Sequence, residues 1–249
     1  MPRLKHLTPL IGLLCLLGLW AALAHSPLVK PSLVPGPVTT GRALVLVLHD
    51  EKALGAVGDT FLRTILAFSL AAIIGVSGGL LLGVIPALRS ALAFPVHFLR
   101  SIPATALIPL FIVLVGASAR GALALAASGS VLIVLAYTVL GVANVSPSRI
   151  AYARTVGASQ LQMLRTVMFY EALPSIVTGL RVSISLSLIL TIVAEMVMGG
   201  DGLGNLISEY RLGAEYPSMY AAVTITGILG FALNQFGELV DRSLVHWAG

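Results

Sequence analysis

An all-helical integral membrane chain is predicted by three observations. Of 249 residues, 57% are hydrophobic and only 10% charged, against about a quarter charged in ordinary soluble domains. The mean hydropathy is +1.00. The apolar residues gather in six runs, at about 7–24, 60–86, 92–116, 121–143, 174–198 and 218–240, each close to the ~20 residues that a helix needs to cross a bilayer. Loops rich in Pro, Gly or charge separate them. The length accommodates six helices but no separate nucleotide-hydrolysing domain, and no GxxxxGK[ST] phosphate loop occurs, so any ATP chemistry belongs to another chain. The net charge of +5 comes from 15 Lys and Arg scattered between apolar runs, a pattern of membrane orientation rather than nucleic-acid binding.

The first run follows Arg3 and Lys5, which places the N-terminus in the cytoplasm. Ala22-Leu23-Ala24 after it also fits a signal-peptide cleavage site; either way residues after His25 emerge on the far side. Cys15 lies inside the run as a small apolar packing residue, and Leu13 and Leu14 before it do not fit a lipoprotein processing site. Residues 26–58, with Pro27, Pro31, Pro35 and Pro37, read as an extended segment followed by a short helix at the outer surface.

The second run repeats small residues every four positions: Ala67, Ala71, Gly75, Gly79, Gly83 and Ala87. On a helix these form one stripe against which another helix packs closely, with Gly75, Gly79 and Gly83 at its centre. Gly75-Val76-Ser77-Gly78-Gly79 also matches G-x-S-x-G, but a serine nucleophile needs a base, and His97 and His246 sit at or beyond span ends. The small-residue stripe accounts for the glycines, and no catalytic or metal-binding residues are assigned.

In the third run Arg100-Ser101-Ile102-Pro103 and then Pro109 break the helix twice within ten residues. Broken helices at membrane depth border a cavity or a partner, so Arg100 and Pro103 mark either a simple kink or the edge of a pathway. In the fifth run Ser183, Ser187, Thr191 and Glu195 recur at four-residue spacing and make one hydroxylated face ending in a carboxylate. That face avoids lipid. Glu195 either braces two helices or lines the path, facing water or a basic partner such as Arg100 or Arg181.

Between the fourth and fifth runs lies the polar segment IAYARTVGASQLQMLRTVMFYEALP, residues 150–174. Residues 149–156 read as a short amphipathic helix, Gly157 as its end, and Ser159 as the cap of the next helix. On a model with both termini inside, Arg3, Lys5, Arg89, Arg100, Arg149, Arg154, Arg165, Arg181 and Arg242 lie inside or near the inner face. Lys30, Arg42, Lys52, Arg63, Arg120 and Arg211 lie outside. The 149–165 loop carries three arginines and no acid, whereas 199–217 carries Asp201, Glu209 and Glu215 against Arg211, so the 150s are inside.

This segment, centred on Ala153-Arg154-Thr155-Val156-Gly157-Ala158-Ser159 with Val167 ten positions after the glycine, resembles the EAA loop of ATP-binding-cassette importer permeases of the nitrate/taurine/sulfonate branch. LRSIPATALIPL, 99–110, and AEMVMGGDGLGNLI, 194–207, are similar to the third-span and fifth-span motifs of the same family, and the first similarity implies that Arg100 and Pro103 lie on the translocation path rather than at a simple kink. The resemblance covers roughly residues 58–240. Ala151 and Tyr152 stand where the loop motif has Glu and its first Ala, and Phe169-Tyr170 where it has Leu-Pro.

The resemblance implies a type I importer permease fold like that of the methionine permease, with a cytoplasmic coupling helix. It divides the chain into a first helix and periplasmic loop at 1–57, a permease core at 58–243 and a short cytoplasmic tail at 244–249. It implies that Ala153, Arg154, Thr155, Gly157, Ala158 and Ser159 couple to an ATPase. The chain would be a non-enzymatic translocation subunit with no cofactor of its own, ATP being bound by the partner. It would work in a bacterial inner membrane as a homodimer, among lipids, with two ATP-binding-cassette subunits and a periplasmic substrate-binding protein. The cargo expected is a small anion such as nitrate, taurine or a sulfonate, with a pyrimidine vitamin precursor as the alternative. A secondary transporter is the other class; it would show inverted repeats or paired interrupted spans, and none is visible.

Overall fold

The computed structural model describes residues 4–27, 29–30 and 32–244, so expectations resting on Arg3 and on residues 245–249 lie outside the described residues. The elements are α1 (Leu4–Ala24), α2 (Pro37–Val47), α3 (Glu51–Val84), α4 (Pro86–Ser101), a 3-10 turn (Ala104–Leu107), α5 (Ile108–Val115) and α6 (Ala119–Ala143). There follow α7 (Pro147–Thr155), α8 (Gln160–Met163), a π turn (Leu164–Met168), α9 (Phe169–Met198), α10 (Leu203–Leu212) and α11 (Tyr216–Leu244). No strand occurs among the described residues. Four helical runs are long and apolar enough to cross a membrane: Glu51–Val84, Ala119–Ala143, Gln160–Met198 and Tyr216–Ser243. α4 together with Ala104–Val115, bent by 87° at the break, forms either one broken span or a re-entrant loop. α1 has 21 residues, but its described apolar part, Ile11–Ala24, is too short to count as a span, so the described residues show four crossings, or five with the bent pair, where six were expected.

Local chemistry explains the boundaries. The Asp50 side chain accepts from the Lys52 amide at 3.1 Å and caps α3. The helix therefore begins at Glu51 rather than near 60, and its first turns are charged. Pro86 ends it, because the residue before a proline is pushed out of the α region; Ile85 is extended, at φ −104° and ψ 98°. Ala87 consequently falls in α4 and is exposed, so the small-residue stripe stops at Gly83. The run expected at 174–198 also begins earlier: α8, the π turn and α9 form one helical run from Gln160, and Pro174 sits inside α9. The 26–58 segment holds α2, whose buried Ala43 and Val47 pack in one cluster with Ala53, Leu203, Leu206 and Ala221.

The centre of the molecule is α3, α6 and α9, held by backbone proximity rather than by bulky side chains. A β-carbon placed on Gly75, Gly79 or Gly83 would lie 2.6, 2.5 or 2.5 Å from the Cβ of Val134, Thr138 or Val142. The three glycines thus run in register with three residues of α6, also four apart. A β-carbon on Gly179 of α9 would meet Tyr137 Cβ at 2.6 Å, and Ser175 Oγ donates to the Tyr137 carbonyl at 2.8 Å. Between helices in lipid, where apolar burial gives little driving force, such close approach and shared hydrogen bonds supply the attraction. Ser77 is exposed on α3 and donates to the Ile73 carbonyl of its own helix at 2.6 Å.

Candidate functional site

The polar segment folds as a helix, a sharp turn and a second capped helix. α7 closes with the two hydrogen bonds of a Schellman motif: the Ala158 amide donates to the Ala153 carbonyl and the Gly157 amide to the Arg154 carbonyl, each at 3.0 Å. Gly157 takes φ +80°, where a side chain is strained. Ser159 Oγ then accepts from the Gln162 amide at 3.3 Å while Gln162 Oε1 accepts from the Ser159 amide at 2.8 Å, a reciprocal capping box. Arg154, Thr155, Gly157 and Ser159 are exposed, Ala158 is half-buried, and Ala153 is the residue of α7 that is buried.

α7 is fastened to the membrane helix behind it. Arg149 pairs with Glu171 of α9 at 3.0 Å, and the Ser146 amide donates to the other oxygen of that carboxylate at 3.3 Å. A recess of ≈ 850 Å³ opens between α7 and the start of α9, with Tyr152, Val156 and Tyr170 on its wall. These three large side chains are 71%, 64% and 55% exposed. The segment therefore presents an apolar, shaped surface on a short helix joined rigidly to α9.

At the other end of α9 the carboxylate of Glu195 is at the centre of a buried knot. Thr60 Oγ1 donates to it at 2.8 Å and accepts from the Leu203 amide at 2.8 Å. The Gly204 amide donates to the carboxylate at 3.0 Å, and Arg63 donates to the carboxylate and, at 3.2 Å, to the Asp201 carbonyl. Two amides at the start of α10 thus find acceptors, and the negative carboxylate lies at the positive end of that helix. The partner of Glu195 is Arg63, not Arg100 or Arg181: Arg181 pairs with Glu238 and Asp241 of α11 at 3.4 and 3.7 Å. Gly202 has φ +120°, and a β-carbon there would strike the Glu195 carboxyl. Further out, Lys52 donates to Glu209 at 2.5 Å, which holds the Glu209 carboxyl below the usual range, while burial pushes the Tyr210 hydroxyl up.

The hydroxylated face of α9, whose Ser183, Ser187 and Thr191 were expected to suit a translocation path because hydroxyls can replace water around a polar solute, turns into the protomer. Ser183, Ser187 and Thr191 have no exposed surface and Glu195 is 1% exposed. Ser187 shares a hydrogen bond of 2.8 Å with Ser130 of α6. Arg100 and Pro103 are placed oppositely. α4 has no buried residue, and both side chains are exposed. One turn beyond Arg100, Ala104 lies against Gly129 and Leu190, so a β-carbon on Gly129 would be 3.2 Å from Ala104 Cβ. Gly129 is near the middle of α6, so the break at 102–103 lies level with the middle of that helix.

Sequence reasoning missed Thr60 and Arg63. The signal available was the charge of Arg63 within an apolar run, which matches a carboxylate in another span.

Comparison with known proteins agrees with this architecture. The description "binding-protein-dependent transport system inner membrane component" matches residues 75–246. The taurine transport system permease of Escherichia coli (strain K12) is 26% identical over 100% of this chain and 92% of its own. The bicarbonate transport system permease of Synechococcus elongatus is 31% identical over 95% of this chain and 88% of its own. Among solved structures, an inward-facing conformation of the MetNI methionine ABC transporter superposes with a TM-score of 0.69 over 81% of this chain and 98% of that one, at 21% identity; this likeness speaks for the type I importer fold. The chain is a multi-pass membrane protein and belongs to the binding-protein-dependent transport system inner membrane components, as an ABC importer permease of the nitrate/taurine/sulfonate family.

Proposed function

We propose that two copies of this permease enclose a path for a small anion, driven by two ATP-binding-cassette subunits on the inner face and supplied by a periplasmic binding protein, with both termini in the cytoplasm. The observation that carries the reading is the capped, exposed α7 segment over its recess, braced to α9 through Arg149 and Glu171. Ala153, Arg154, Thr155, Gly157, Ala158 and Ser159 form the surface that the ATPase grips. ATP-driven closure of the ATPase pair pushes the two α7 helices together, rotates each α9 and opens the path outward; ADP release reverses it.

Arg100 supports the placement of the path. An arginine at membrane depth without an acidic partner costs several kcal/mol against lipid, and Arg100 makes no ion pair among the described residues. It therefore faces a second copy and a wet path, with Pro103 breaking the helix beside it. Ser183, Ser187, Thr191 and Glu195 brace the protomer next to that path. An anionic cargo suits the unpaired cation, and the relatives named for taurine and bicarbonate transport support the same class.

Affinity purification of the detergent-solubilised chain from its native membrane, followed by mass identification, tests the assembly. Recovery of an ATP-binding-cassette subunit that is lost with Gly157→Val supports it. A folded chain that purifies alone overturns it and favours a secondary transporter.

A further inference from the structure

The helical run from Gln160 to Met198 is interrupted at Leu164–Met168 by the π turn, where the Phe169 amide donates to the Leu164 carbonyl, five residues back instead of four. Such a turn packs one more residue into the helix than α register allows; it is rare, and it recurs at functional sites. None of its five side chains is buried, whereas Met163 before it and Ala172 after it are. A change of register here therefore disturbs no close-packed core. Thr166 Oγ1 donates to the Gln162 carbonyl at 2.7 Å and keeps that carbonyl bonded whichever backbone amide lies ahead of it. A second gap in the ladder follows at Pro174, inside α9. Proline has no N–H, so the Tyr170 carbonyl lacks a donor four residues on, and the Ser175 amide, five on, is the next that the helix offers it. Between the two gaps lies Glu171, paired with Arg149 of α7 at 3.0 Å.

We infer that the π turn is an adjustable joint between the docking turn and α9, held in its present register by the Arg149–Glu171 pair. The inference rests on the proposed grip of an ATPase on residues 153–159. When the ATPase loads α7 and breaks that pair, the extra residue passes along the run from 164–168 to Pro174, where the backbone already favours a bond to the fifth residue. One residue of α-helix turns by about 100°, so Phe169, Tyr170 and Glu171 rotate by about that angle as the extra residue passes them. The first turn of α9 thus rotates before the rest of the helix follows.

Hydrogen exchange of the purified permease–ATPase complex in nanodiscs, nucleotide-free and trapped with ATP and vanadate, tests the joint. Amides 164–175 should change protection between the two states, as should the 199–202 turn at the far end of α9. Constant protection at 164–175 overturns the inference. Deletion of Arg165, an exposed residue of the turn, restores ordinary α register and leaves the faces on either side in place. The deletion variant should keep its ATPase subunit, while the nucleotide-driven change at 199–202 falls at least about fivefold. Arg165→Ala removes the same charge but keeps the residue count, and should transmit the change in full. Full transmission through the deletion variant, or an equal loss in Arg165→Ala, overturns the inference. If the deletion variant does not assemble, the protection of 164–175 in the unaltered chain still decides. An unaltered chain that carries no ATPase subunit overturns the proposed function, whereas one that carries it with constant protection at 164–175 removes only the joint.

Discussion

Glu195 and Arg63 illustrate what a buried charge does in lipid. Each alone is expensive to desolvate, and together with Thr60 and the α10 amides they share enough hydrogen bonds to stay. Removing one partner leaves the other uncompensated, so Glu195→Gln or Arg63→Gln should each lower stability by about 3 kcal/mol. The double variant should lose much less than the sum. Thermal unfolding of the detergent-solubilised chain measures both, and strictly additive losses would contradict the pairing. Gly202→Ala belongs with them: φ +120° and the adjacent carboxylate leave a methyl group no place. Its unfolding midpoint should fall as far as that of Glu195→Gln.

Among the elements, two depend on glycine for different reasons. On α3, Gly79 is required by contact: a β-carbon would be 2.5 Å from Thr138 Cβ and 2.9 Å from the Leu135 carbonyl oxygen. Gly79→Val should therefore reduce folded protein in the membrane severely, whereas Gly78→Ala, which meets nothing nearer than Leu135 Cδ1 at 3.5 Å, should leave it unchanged. Size-exclusion profiles of the two variants decide this. After α7, Gly157 has open space around it, and its requirement is conformational, at φ +80°. Asparagine tolerates that region and valine does not. Gly157→Asn should keep nucleotide hydrolysis responsive to transport, and Gly157→Val should uncouple it while the chain remains in the membrane. If both variants behave alike, the Schellman turn is not what the partner reads.

For the whole molecule, the decisive contrast is between the sealed α3–α6–α9 core and the uncovered α4. A path between two copies makes Ser101, next to Arg100, wet. In a Cys15→Ser background, which removes the single native cysteine, Ser101→Cys should react with a charged, membrane-impermeant thiosulfonate, and Phe94→Cys, 78% exposed on the same helix, should react more slowly if that face meets lipid. Inert cysteine at 101 would place α4 against lipid and remove the path from this face. The fold as a whole was largely legible in the chain. Apolar runs, the Gly75-Gly79-Gly83 stripe, the Pro103 break and the Gly157–Ser159 turn are local signals, written within a few residues of where they act. Helix starts at 51 and 160 were less legible, because charge near a span end reads as loop until its cap or partner is known.

What the sequence determined by itself is the membrane class, the order of helices, the family and the position of the Gly157–Ser159 turn, because hydropathy, glycine and proline act through neighbouring residues. Only the tertiary structure decided that Glu195 pairs with Arg63, that the serine and threonine face of α9 is sealed, and that Arg100 opens outward. Those outcomes depend on which helix faces meet over long separations in sequence, 132 positions for Arg63 and Glu195, and four-residue spacing marks a face without naming its neighbour.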